Sequence, residues 1–277
     1  MIKLHVLSDN KTENPACLAE WGLSLFIEAG GRKILFDTGT SDIFAENAEI
    51  MGLDLSEAEA LVISHGHSDH TEGVPRFCEI NKKAPVYLGK GALLPQFGEE
   101  DGVPEDYNCG IQWAEDGALP FKDRLITTDG PVWISPDIVI SGRILNDDPL
   151  RPQEVFFIQD ADGTIRRDPM DHEQFLAVRE PGRGIFLFSG CSHKGIISAV
   201  EYAKELFPGE RIAGIVAGMH LIGADPRLRN RMIRRLKKED PDVIVPLHCT
   251  GLEASARIRY LFGRRCVLAS AGSSYEL

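Results

Sequence analysis

Ser64-His65-Gly66-His67-Ser68-Asp69-His70 puts four metal-capable side chains within six positions, directly after the apolar run Ala60–Ser64. That run reads as a short buried strand feeding the chain into the histidines. In an extended segment, residues two apart face the same side, so His65 and His67 can grip one ion together. A helical turn following them would aim Asp69 and His70 at a second ion. Imidazole and carboxylate ligands suit zinc, iron or manganese. Gly66 leaves the backbone between the two histidines free of side-chain crowding.

One segment cannot complete a two-ion site, so further ligands are expected at other strand ends. Three apolar runs end in histidine and small residues. Gly184–Ser189 leads into Gly190-Cys191-Ser192-His193, Arg211–Ala217 into Gly218-Met219-His220, and Asp242–Pro246 into Leu247-His248-Cys249. In a chain with eight histidines, three such endings point to a shared site. His5 and His172 are left over, and His172 lies in the acidic stretch Asp168–Glu173 with no signal of its own. Asp37, in Asp37-Thr38-Gly39, has two open readings. It could fix the tautomer of a ligating histidine from behind, or cap a helix over Ser41–Met51.

The flanking pattern is that of short strands and amphipathic helices. Leu23–Glu28 and Lys33–Phe36 around Gly30-Gly31 predict a hairpin. Strands are also expected at Pro85–Leu88, Val155–Ile158, Gln174–Val178 and, last, Cys266–Ala269. Helices are expected over Lys194–Leu206, Asp225–Glu239 and Leu252–Phe262. The basic face Arg227–Lys238 reads as a solvated helix surface. Residues 94–131 are rich in Gly, Pro, Asp and Glu and read as an irregular insertion, a candidate lid or substrate loop, within a single domain spanning residues 1–277. Together these elements predict an α/β fold with helices covering a pair of sheets.

Composition narrows the partners. Thirty Lys and Arg against 42 Asp and Glu give a net charge of −12, which disfavours nucleic acid and anionic membrane as partners. A small-molecule substrate is the expectation that remains. No apolar run reaches the roughly 20 residues of a membrane helix. The six cysteines form no C-x-x-C pair, and Met1–Asn10 lacks the apolar stretch of a signal peptide, so a reducing cytoplasm is expected.

These residues together resemble the metallo-β-lactamase superfamily. Its H-x-H-x-D-H signature is matched by His65, His67, Asp69 and His70, its D-T-G by Asp37, Thr38 and Gly39, and its late strand-end histidine by His248. The resemblance implies a four-layer αββα sandwich with two divalent metal ions, zinc foremost, at one edge between the sheets. Ala19–Ser24, Gly190–Gly195, Gly218–Leu221 and His248–Gly251 are similar to a narrower subgroup. Its members are described as similar to 7,8-dihydropterin-6-ylmethyl-4-(β-D-ribofuranosyl)aminobenzene 5′-phosphate synthase. The subgroup is carried over to this chain; the substrate is not.

The chain departs from the superfamily pattern in two places. No histidine occurs between Thr71 and Val155, where a mid-chain ligand is usual, and Cys191 stands where a bridging aspartate is usual. His193 is the preferred replacement ligand and Cys191 the second choice. The resemblance implies a metal-dependent hydrolase, or a related transferase or lyase, acting on a small phosphorylated or ester substrate. Asp69 would orient the nucleophile and His220 would supply a proton. Alternatives on the same fold are a di-iron redox protein, against which His67 stands, and a non-catalytic metal- or ligand-binding module.

Overall fold

The computed structural model describes residues 1–114, 121–146 and 148–277. Its first stretch runs β1 (Lys3–Ser8), β2 (Ser24–Ala29), β3 (Arg32–Phe36), α1 (Ile43–Ile50), β4 (Ala60–Val62), α2 (Ser68–Thr71), α3 (Val74–Ile80) and β5 (Val86–Gly89). Then come β6 (Gln96–Glu100), β7 (Val103–Asn108), β8 (Leu125–Thr128), β9 (Val132–Ser135), β10 (Ile138–Ile140), β11 (Phe157–Gln159) and β12 (Ile165–Arg167). The last stretch is β13 (Phe175–Glu180), β14 (Gly184–Ser189), α4 (Ile196–Leu206), β15 (Ile212–Ala217), α5 (Pro226–Glu239), β16 (Val243–Pro246), α6 (Gly251–Phe262) and β17 (Ser273–Glu276).

Two large sheets follow. One has the order β17-β1-β2-β3-β4-β5-β8, the other β16-β15-β14-β13-β10-β9. Successive strand residues face opposite sides, and here both sides are apolar. Along β14, Phe186 and Phe188 join Leu25, Ile27, Ile34 and Phe36 of the facing sheet in one core. Ile185 and Leu187 instead meet Val200, Ala203, Ile233 and Ile258 on the helices behind. Phe26 and Leu35 turn to Phe44, Ala48 and Phe77 on α1 and α3. Helices, sheet, sheet and helices make a four-layer αββα sandwich.

Helix α5 shows why its basic sequence is still ordered. Asp225 accepts hydrogen bonds from Arg227 N and Leu228 N at the N-terminus, and Met232, Ile233 and Leu236 pack inward. Among the described residues, no helix is long and apolar enough to cross a membrane.

Three sequence readings need correction. The last strand is not Cys266–Ala269, where only Cys266 makes a bridge, to Ile244; it is β17, paired with β1. β1 itself was not anticipated, because Lys3, His5 and Ser8 interrupt its apolar pattern at an inner position of the sheet. The N-cap of α1 is Asp42, so Asp37 does not cap that helix.

Within the 94–131 segment, β6 and β7 form a small sheet with β11 and β12, whereas β8 extends the first large sheet. Part of that segment, residues 115–120, lies outside the described residues.

Candidate metal centre

The parallel strands β3 and β4 of one sheet and β14, β15 and β16 of the other deliver their C-terminal ends to a common edge. Ligands gather at such edges because the loops there are free of sheet pairing. Asp37 follows β3, the His65–His70 segment follows β4, Cys191 and His193 follow β14, His220 follows β15 and His248 follows β16. The positive φ values of Asp37 (58°), Ser192 (57°), His220 (48°) and His248 (47°) show the chain turning sharply as it leaves each strand. Left-handed backbone at non-glycine residues is strained and concentrates at functional sites.

The structure brings together all the metal-capable residues read from the sequence. Potential ligand atoms of His65, His67 and His193 lie within 4.8 Å of one another, and so do those of Asp69, His70 and His248. Cys191 joins His65 and His70 in another such group, and His193 and His220 in a further one. His70 Nε2 is 3.2 Å from Cys191 Sγ.

Hydrogen bonds behind the cluster set its tautomers. Asp37 Oδ2 accepts from Ser64 Oγ at 2.7 Å and lies 2.7 Å from His70 Nδ1. A carboxylate can only accept, so His70 Nδ1 carries a hydrogen and Nε2 faces inward. Ser64 Oγ, having donated to Asp37, accepts from His65 Nδ1 at 2.9 Å, which leaves the neutral His65 with a bare Nε2. Asn10 Oδ1 does the same for His248 through Nδ1 at 2.7 Å. His248 Nε2 then sits 3.1 Å from Asp69 Oδ2.

The chemistry of this donor set tests whether divalent ions fit. His67 Nε2, His193 Nε2 and His248 Nε2 are buried without hydrogen-bond partners. Such groups are costly unless something in the centre satisfies them. Burial pushes His67 down to about 3 and His65 and His193 well below the usual range, so all three stay neutral, the ligating form. Burial also opposes charge on His70, but Asp69 and Asp37 overcome it and lift His70 to about 9. Despite its burial, Asp69 is held well below the carboxylate range by His70 and His248. One pole is thus neutral imidazole, and at the other the Asp69 and Asp37 carboxylates draw onto His70 a positive charge that a bound metal cation would replace. The donor set fits divalent metal.

Above the cluster is a cavity of about 260 Å³ lined by Trp21, Asp69, Phe156, Cys191, His220 and Cys249 among others. Trp21 Nε1 donates to Asp69 Oδ2 at 3.1 Å, and the Phe156 ring lies 4.5 Å from that of His67 and 5.1 Å from that of His193. His220 pairs with Glu154 through Nε2, while its buried Nδ1 has no partner. Burial alone would lower His220, but Cys249 and Glu154 raise it to about 10.

Sequence reasoning missed several participants. His172 is buried, with its ring 6.4 Å from that of His65; it accepts from Gly66 N at 3.2 Å and meets Asp168 Oδ2 at 3.0 Å. It precedes β13, which runs antiparallel to β14, so its site lies at a strand start rather than an end. Asp9 and Asn10 escaped for want of a visible β1; Asp9 Oδ1 accepts from His248 N at 2.7 Å. Glu173 binds His193 N and Lys194 N at 2.6 and 2.7 Å, and Glu154 carried no pattern at all. His5, also left over, pairs with Ser274 on β17 and Glu28 on β2. Arg143, a conceivable substrate anchor, pairs with Asp171.

Comparison with known proteins agrees with this geometry. The family model of the metallo-beta-lactamase superfamily matches residues 22–158. An uncharacterized protein of Methanocaldococcus jannaschii is 33% identical over 265 residues, covering 94% of both chains. The 7,8-dihydropterin-6-methyl-4-(beta-D-ribofuranosyl)-aminobenzene-5'-phosphate synthase of the same organism is 26% identical over 91% of this chain and 89% of its own. The crystal structure of Tm1679, described as a metal-dependent hydrolase of the beta-lactamase superfamily, superposes with a TM-score of 0.84 at 27% identity, over 100% of this chain and 99% of that one. With sandwich, edge cluster and relatives in agreement, this chain belongs to the metallo-beta-lactamase superfamily.

Proposed function

We propose that the protein is a metal-dependent hydrolase acting on a small ester or phosphoester. The observation that carries this reading is the set of buried histidine nitrogens without hydrogen-bond partners at the shared edge: those of His67 and His248 belong to residues lining one cavity, and that of His193 belongs to the ligand group with His65 and His67. His65, His67 and His193 would hold one ion and Asp69, His70 and His248 the other, with Cys191 beside both sets. Zinc suits this mixture of nitrogen, oxygen and sulfur best, ahead of iron or manganese. Such ions supply Lewis-acid polarisation of a carbonyl or phosphoryl oxygen and hydroxide near neutral pH.

The remaining work falls to the chain. Trp21 and Phe156 wall the cavity. Asp69, held by Trp21 Nε1, is placed to orient the attacking oxygen. His220, charged near neutral pH and anchored by Glu154, has its Nδ1 available to give a proton to the leaving oxygen.

The test is His67→Ala, with metal content and turnover of p-nitrophenyl phosphate and bis(p-nitrophenyl) phosphate as readouts. Loss of bound metal together with turnover supports the reading; unchanged metal stoichiometry overturns it. A second reading, group transfer on the same centre, has one specific support: a relative matched over nearly its full length is named a synthase. Product analysis with an added acceptor alcohol separates the two, because a hydrolase yields only the free acid.

A further inference from the structure

We propose that Cys249 is a sulfur ligand of the centre and, with Cys191, gives it a two-thiolate edge that selects zinc over harder ions such as magnesium and manganese. The proposal rests on the metal-centre reading above but adds a residue outside that ligand set. Cys249 Sγ, Cys191 Sγ and a ring nitrogen of His248 lie within 4.8 Å of one another, and all three side chains are buried. His248 Nε2 makes no hydrogen bond, so a sulfur and an imidazole nitrogen on adjacent residues stand in one candidate ligand group. Cys191 belongs to three of the five candidate groups among the described residues, which makes its sulfur the common corner of the cluster.

The fold makes room for the second sulfur. A Cβ on Gly218, just after β15, would sit 2.3 Å from Gly190 O and 2.8 Å from Cys249 Sγ, so glycine there admits both the neighbouring loop and the sulfur. The left-handed turn at His248 carries Cys249 back beneath β15, where Leu221 N donates to Cys249 O at 2.9 Å. His220 N donates to Cys249 Sγ at 3.2 Å, a contact that favours electron-rich sulfur. Cys249 Sγ also lies 3.8 Å from the Cys191 carbonyl.

A neutral thiol packed in a tight loop would also accept the His220 contact, and a serine hydroxyl could replace it there. A ligand could not be so replaced without changing metal preference. Thiolate is soft and favours zinc, whereas an oxygen donor shifts a site towards magnesium or manganese. Binding exchanges one proton per thiol for the metal–sulfur bond, with no change of oxidation state.

The experiment is zinc K-edge X-ray absorption on zinc-loaded wild type, Cys249→Ser, Cys191→Ser and the double variant, alongside zinc and manganese affinities by chelator competition. Wild type is expected to show a sulfur shell near about 2.3 Å that shrinks in each single variant and vanishes in the double. Cys249→Ser should weaken zinc by at least the roughly tenfold that loss of an outer-shell partner costs, and weaken manganese less. A sulfur shell as strong in Cys249→Ser as in wild type overturns the proposal and leaves the metal-centre reading intact. Failure of wild type to bind zinc overturns both. Should Cys249→Ser not fold, iodoacetamide mapping of wild type decides instead. Zinc must slow alkylation of Cys249 more than that of Cys17, Cys78 or Cys266, and equal rates overturn the proposal.

Discussion

Asp37 Oδ2 lies 2.7 Å from His70 Nδ1, with both side chains fully buried, and the same carboxylate holds Ser64 through its backbone N at 2.6 Å and its hydroxyl at 2.7 Å. One aspartate at the end of β3 thereby orients two ligand histidines in the segment that follows the neighbouring strand β4, His70 directly and His65 through Ser64. Asp37→Asn would point an amide N–H₂ at groups that are themselves donors. Metal affinity is expected to fall by roughly 10- to 100-fold, as for other supports behind metal ligands. The unpaired donor should also lower stability by about 1–3 kcal/mol. Chelator competition and thermal melts measure the two effects separately.

Gly66 is needed for a different reason from the one its position between two histidines implies. Its backbone is not left-handed; a Cβ there would come within 2.5 Å of Ala92 O and closer still to Gln96 Nε2. Gly66→Ala should therefore destabilise the fold by about 1–3 kcal/mol through overpacking. It should also disturb His65 and His67 together, seen as a lower melting temperature and reduced metal content in the same variant.

Glu154 supports the charge on His220. In the metal-free protein His220 should titrate near 10, because Cys249 and Glu154 outweigh the effect of burial. Glu154→Gln removes one of the two supports, so the histidine should titrate lower, towards the ordinary value near 6.5. Ring-proton NMR across pH 5–11 reads this directly, and an unchanged titration would remove Glu154 from the proton-donor assignment.

Away from the site, Glu239 on α5 pairs with Lys204 and Arg235. Burial opposes its charge, but these two cations overcome it and lower its pKa. A carboxyl whose folded pKa is depressed stabilises the fold above its unfolded value near 4.5 and loses that contribution as pH falls through the folded value. Glu239→Gln should thus cost roughly 1 kcal/mol at pH 7 and progressively less as pH falls below about 4.5. Denaturant titrations above and below that pH check the difference.

The sequence by itself determined the half of the centre that is local. His65, His67, Asp69 and His70 sit within six residues, so a strand followed by one helical turn brings them together whatever the rest of the chain does. It also determined that His193, His220 and His248 end strands, because apolar runs of strand length are visible in composition. Only the tertiary structure decided which edge those strands share, and hence that His172, at the start of an antiparallel strand, belongs beside His65. The same holds for Asn10 behind His248, 238 positions away in the chain, and for Cys249 beside Cys191. Pairings of that kind come from sheet order and strand direction, which depend on contacts distant in sequence and leave no periodic trace in it. The cluster that opened the reading is therefore local chemistry, and the cage completing it is a product of topology.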